Sequence, residues 1–128
     1  MTRILFVCIE NSCRSQMAEA FARIHGGEGV EACSAGSAPS GVVNDKAIAA
    51  MSRLGYDLST HRSKSTVDLP SVTFDYVVTM GCGDQCPVVS ARNRFDWDVA
   101  DPKGLDPAAF DDVRDDIEER VKQLISLL

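Results

Sequence analysis

The chain has 128 residues, 45% of them apolar, enough to fill one core but not to add a second catalytic domain. A formal charge of −6 and a pI near 4.8 argue against nucleic acid or an anionic membrane as the main partner. Five cysteines, with neither a leader-like N-terminus nor a membrane-length apolar run, predict a cytoplasmic protein with reduced thiols. No Cys-x2-Cys pair occurs, and His25 and His61 are the only imidazoles, so a structural zinc site is not expected.

Ile4, Leu5, Phe6 and Val7 form a short continuous apolar run that reads as a buried parallel strand. Met17, Ala20, Phe21 and Ile24 then recur at helical spacing, predicting a helix from about Ser12 to His25 that Gly26 and Gly27 close. Between the two lie Cys8 and Arg14, with five residues separating them. A loop that enters a helix in this way turns backbone N–H groups inward and adds the partial positive charge of the helix N-terminus. Glu10, Asn11, Ser12, Cys13, Arg14 and Ser15 are therefore expected to cradle a tetrahedral oxyanion, with the planar guanidinium of Arg14 taking two of its oxygens. Cys8 lies at the floor of that cradle, where the same field favours a thiolate and Ser15 can donate to it. The carboxylate of Glu10 must point away from a bound anion.

Val30 to Ser34 reads as a second strand, followed by a Gly/Pro/Ser-rich loop from Gly36 to Gly41. Asn44 or Asp45 caps a second helix that turns Ala47, Ile48, Met51 and Leu54 inward, with Gly55 past its end. Ser59 to Leu69 is polar, a loop with a short helix. Tyr76 to Met80 is a β-branched and aromatic strand. The segment from Gly81 to Pro87, with two glycines and the thiols Cys82 and Cys86, is expected to be mobile. Arg94 to Trp97 makes a fourth, short strand. Asp106 caps a final helix with Pro107 at its first position and Phe110, Val113, Ile117, Val121, Leu124 and Leu128 along its apolar stripe.

Strands alternating with helices predict an α/β fold: one domain over residues 1–128, a four-stranded parallel sheet with helices on both faces. Right-handed crossovers put every strand's C-terminal end on one edge, where open α/β sheets bind ligands. Cys8, Cys82 and Asp101, each following a strand, should converge there. Asp101 precedes Pro102, and the bland reading of that pair is a turn; Asp98 is its rival as an acid.

From Cys8 to Glu19 the chain reads Cys-x-x-Asn-Ser-Cys-Arg-Ser-Gln-Met-Ala-Glu, which closely resembles the arsenate reductases built on the low-molecular-weight tyrosine phosphatase fold. The resemblance implies Cys8 as nucleophile toward arsenate, Arg14 as its anion clamp, and Asp101 as general acid. It further implies that Cys82 attacks the Cys8 sulfur and that Cys86 then takes over the disulfide. Two incidental thiols remain the plainer reading of Cys82 and Cys86. Thioredoxin, or a glutaredoxin or low-mass thiol system, would return the electrons, and phosphate or sulfate would compete as oxyanions. The resemblance also places Glu19 and Ser34 where some relatives hold potassium. Lys64 stands in for an acidic ligand there, so neither metal nor cofactor is expected. Cys13 and Cys33 read as packed spectators, His61 as a loop brace, and the protein as a monomer. The same-fold alternative is a low-molecular-weight tyrosine phosphatase, which usually has aromatics after the acid where this chain has Pro102 and Lys103. A thiol module that merely binds soft metals would leave Arg14, Ser15 and Asp101 unexplained.

Overall fold

The computed structural model describes residues 1–81 and 89–128. Four parallel strands, β1 (Thr2–Cys8), β2 (Val30–Gly36), β3 (Phe74–Met80) and β4 (Ala91–Trp97), lie in the order β2-β1-β3-β4. Three α-helices, α1 (Arg14–Gly26), α2 (Asp45–Ser52) and α3 (Pro107–Ile125), connect or follow them.

β1 is central, and this is why its sequence is apolar without alternation. Ile4 and Phe6 pack into one cluster with α1, α2 and α3, while Leu5 and Val7 pack into another on the opposite face. All four are fully buried, and each such burial contributes roughly 1.5–3 kcal/mol. On the second face Leu69, Val72 and Val89 pack on Leu5, Val7, Ala35, Phe74 and Val77. Among the described residues, α1, α2 and α3 all contribute to the first of these clusters.

The caps follow the sequence. Asn44 Oδ1 accepts from the Lys46 amide at 2.8 Å to start α2, and Asp106 Oδ1 accepts from Ala109 at 2.8 Å to start α3, with Pro107 in its first turn. α1 begins two residues later than expected, at Arg14. The Ser12 carbonyl accepts from the Asn44 amide at 3.0 Å, which keeps Ser12 and Cys13 in the loop. Three apolar residues assigned inward are exposed: Ile24, Leu54 and Leu128. Ile24 lies in the last turn of α1, beyond its buried stretch. Leu54 follows the end of α2, and Leu128 ends the chain. β4 is longer than its apolar half suggested because Arg92 to Asp96 form an exposed polar edge without alternation.

The order of the strands sets the site. β1 has β2 on one side and β3 on the other, so the chain reverses direction across the sheet beside the C-terminal end of β1. A crevice opens at such a switch point. Cys8 is the residue that ends β1, in register with Gly36 on β2.

Candidate active site

The loop from Cys8 to Arg14 closes over that crevice. Asn11 takes the left-handed conformation, φ 50°, in which asparagine is tolerated better than most residues. It is fully buried and fixed from several sides. Its Oδ1 accepts from the Lys64 amide at 2.9 Å and faces Gln16 Nε2 at 3.0 Å. Its Nδ2 donates to Ser15 Oγ at 2.8 Å. With that donor on its oxygen, the Ser15 hydroxyl hydrogen is free to point at Cys8 Sγ, 2.9 Å away. Cys8 is 3% exposed, so this contact with Ser15 lies away from solvent at the base of the loop. Gly36, opposite it, has no room for a side chain: a Cβ would stand 2.5 Å from the Ile9 carbonyl oxygen and 3.0 Å from the Asn11 amide nitrogen.

α1 begins without a side-chain cap and has no acidic residue in its first turn. Its first amides therefore remain available to an anion rather than being satisfied by the protein's own carboxylates. Arg14 is held from behind. Its Nη1 donates to the Val99 carbonyl at 3.1 Å, and Gly81 (φ 73°) backs directly onto the guanidinium, where a Cβ would overlap it. The guanidinium is thus set by the loop after β4 and by the residue that follows β3.

Cys8, Ile9, Glu10, Ser12, Cys13, Arg14, Asp101 and Lys103 line one cavity of about 270 Å³. Asp101 faces this cavity; Asp98 does not, and instead gives its carbonyl to Arg120 at 3.2 Å. The Asp101 carboxylate accepts from the Lys103 amide at 3.1 Å, while Pro102 between them is buried. The loop after β4 therefore delivers an exposed carboxylate to the mouth of the cradle. Burial pushes the Cys13 thiol up to about 11, which keeps it protonated in the cavity wall. Cys33 is similarly raised by burial, to about 11, on the far face of the sheet.

A second ring of contacts holds the loop. Gln16 Nε2 donates toward the Asn11 carbonyl at 3.0 Å and the Arg62 carbonyl at 2.8 Å. His61 Nδ1 meets Gln16 Oε1 at 3.0 Å, and its Nε2 meets the Tyr56 hydroxyl at 2.6 Å. Burial lowers the His61 pKa against the pull of Glu19, so the ring is neutral at pH 7 and can donate at one nitrogen while accepting at the other. Glu19 is buried, and an isolated carboxylate there would be costly. Ser34 Oγ donates to it at 2.8 Å, Arg23 pairs with it at 2.9 Å, and the Lys64 ammonium stands 3.8 Å away.

The structure thus brings Cys8, Glu10, Ser12, Cys13, Arg14 and Asp101 to one cavity, with Asn11 and Ser15 bracing it from beneath. Cys82 and Cys86 lie outside the described residues. Two contributors escaped the sequence reading: Lys103 at the cavity mouth, and Gln16 as the link from His61 to Asn11. Lys103 follows Asp101 by two residues, which was its only signal. Gln16 lies in the Arg-Ser-Gln run, but its role depends on His61, 45 positions away.

The sequence matches a known family model, low molecular weight phosphotyrosine protein phosphatase, over residues 3–128. The chain belongs to that family. Within it, the chain is 37% identical to a glutaredoxin arsenate reductase from Synechocystis, covering 98% of each sequence. It is 40% identical to arsenate reductase 2 of Staphylococcus saprophyticus, covering 94% of this chain and 93% of that one. A solved arsenate reductase in a phosphate-binding state superposes with a TM-score of 0.90 at 37% identity, covering 98% of both chains. Family membership explains why one loop satisfies both names: a cradle for phosphate is also a cradle for arsenate.

Proposed function

We propose that this protein reduces arsenate to arsenite. The observation that carries the reading is a nearly buried Cys8, with its Sγ 2.9 Å from Ser15 Oγ, in a cavity shared with Arg14 and Asp101. The similarity to arsenate reductases along nearly the whole chain supports the same choice.

The loop amides and Arg14 hold arsenate with its arsenic above Cys8 Sγ. The thiolate attacks arsenic, and an As–O bond breaks as Asp101 passes the proton it shares with the bound hydrogen arsenate to the departing hydroxide, forming water. Cys82 thiolate then attacks the Cys8 sulfur. The Cys8–arsenic bond breaks with its electron pair staying on arsenic, which leaves as arsenite, and a Cys8–Cys82 disulfide forms. Cys86 attacks Cys82, frees Cys8 as thiolate, and leaves Cys82–Cys86 for two external thiols to reduce. Three residues separate that pair, and a glutaredoxin or low-mass thiol system suits it; a similar relative carries glutaredoxin in its name. All groups that meet the anion come from one chain, so the reading needs only a monomer. Ser34, Arg23 and Lys64 already surround Glu19, so it needs no potassium either. No described helix is long and apolar enough to cross a membrane. Thiol chemistry of this kind requires a reducing compartment, and we place it in the cytoplasm.

The activity test is direct: reduced protein, arsenate, glutathione and a glutaredoxin should give arsenite in step with thiol oxidation. No arsenite with any dithiol or monothiol reductant would overturn the reading.

The acid has its own test. Asp101→Asn should slow the first chemical step by about 10²–10⁴-fold in single turnover, with inorganic phosphate binding nearly unchanged. Asp98→Asn should behave as wild type. The opposite order would move the acid to Asp98.

A further inference from the structure

Glu10 is an awkward residue to find in an oxyanion loop. Its carboxylate is half-buried at the wall of the same cavity as Cys8 and Arg14, and close like charges oppose one another. The structure answers that charge with Lys103. The Lys103 ammonium reaches both oxygens of Glu10, at 3.0 and 3.2 Å, across the mouth of the cavity. The pair joins the anion loop to the segment carrying Asp101, 93 positions later.

The backbone beneath Lys103 is fixed on both sides. Its amide donates to Asp101 Oδ1 at 3.1 Å, and its carbonyl accepts from Lys46 Nζ at 3.2 Å. The side chain above that anchor is exposed and flexible, with three donors on its ammonium. Contact with Glu10 raises the Lys103 pKa further, so the group is a permanent cation. Arg14 is committed on its inner side to Val99 and turns its remaining donors to the anion. Lys103 is a second cation, at the rim, with a hydrogen free to change partner.

We propose that Lys103 is a substrate-binding residue: when a tetrahedral dianion enters, its ammonium bridges Glu10 and an outward oxygen of the anion. This rests on the arsenate reading and adds a basis for choice to it. A free inorganic oxyanion presents a charged oxygen outward. A phosphate ester presents its bulky alkoxy or aryl group there, where the ion pair stands. The Glu10–Lys103 pair thereby favours small inorganic oxyanions over esters, and Glu10 serves to hold the cation in waiting.

Lys103→Gln, Glu10→Gln and Lys103→Arg in the reduced full chain test this. Calorimetry would give the affinity for inorganic phosphate, and steady-state assays would give KM and kcat for arsenate and KM for a small aryl phosphate. Lys103→Gln should weaken phosphate binding and raise the arsenate KM about tenfold, equivalent to about 1.4 kcal/mol. The loss should fall on KM rather than kcat, and Lys103→Arg should restore most of it. The aryl phosphate KM should change by less than about twofold, because an ester offers the ammonium no outward oxyanion. Glu10→Gln, which releases Lys103 and removes a repulsive charge, should tighten phosphate binding. Unchanged phosphate affinity in Lys103→Gln would overturn the proposal. So would equal weakening in Glu10→Gln, since the pair would then be only a brace between loops. Phosphate binding is read without turnover, so a protein that fails to reduce arsenate defeats the reductase reading separately.

Discussion

Replacing Cys8 with serine is expected to abolish arsenate reduction, a loss on the order of 10⁴-fold or more, as for removal of a nucleophile on which every later step depends. A serine hydroxyl at neutral pH is hardly ionised, and it cannot form the disulfide that carries electrons onward. The substitution is small and stays within the hydrogen-bonding reach of Ser15, 2.9 Å from the present sulfur, so the fold should persist. Phosphate should still bind, because the loop amides and Arg14 are untouched. The arsenite assay and phosphate calorimetry on one sample check both halves. Substantial arsenite production would remove Cys8 from the nucleophile role, whereas lost phosphate binding would show that the cradle itself had collapsed.

Cys86→Ser should produce about one arsenite per protein and then stop. Cys82 can still take the Cys8 sulfur from arsenic, but no internal thiol remains to relieve the resulting disulfide. Peptide mapping of the arrested protein should find Cys8 joined to Cys82. A Cys8–Cys13 bond would instead make Cys13 the resolving thiol. Burial argues against that outcome: with its thiol raised to about 11, Cys13 is almost wholly protonated at neutral pH, and only the thiolate attacks a disulfide or an adduct efficiently.

The part of the site that sequence disclosed was the part carried by local pattern. An unbroken apolar strand, a fixed spacing and a helical repeat place Cys8, Arg14 and Ser15 within one turn of chain. Asp101 could be placed as well, because parallel topology sends every strand's end to the same edge. Asn44 and Asp106 were recognisable as caps because their side chains act two or three residues away. What stayed hidden depended on distant partners. Ser12 looked like a helix start, yet its carbonyl is taken by Asn44 and the helix waits until Arg14. Gln16 gained a task only when His61 was folded against it, and Glu10 looked like a liability until Lys103 reached it. The N-terminal half of β4 has no hydrophobic alternation because it is an exposed edge, so pairing with β3 alone makes it a strand.

The family includes hydrolysis as well as reduction, so the most direct measurement is one that separates the two in a single variant. On the proposed mechanism both reactions need Cys8, Arg14 and Asp101, but hydrolysis finishes with water and reduction finishes with a second thiol. Cys82→Ser should therefore keep whatever weak hydrolysis of a small aryl phosphate the wild type shows, while losing multiple-turnover arsenate reduction. Loss of arsenite with retained hydrolysis is the result predicted here. Full arsenate turnover in Cys82→Ser, or a phosphotyrosine peptide as by far the better substrate of the unaltered protein, would contradict it.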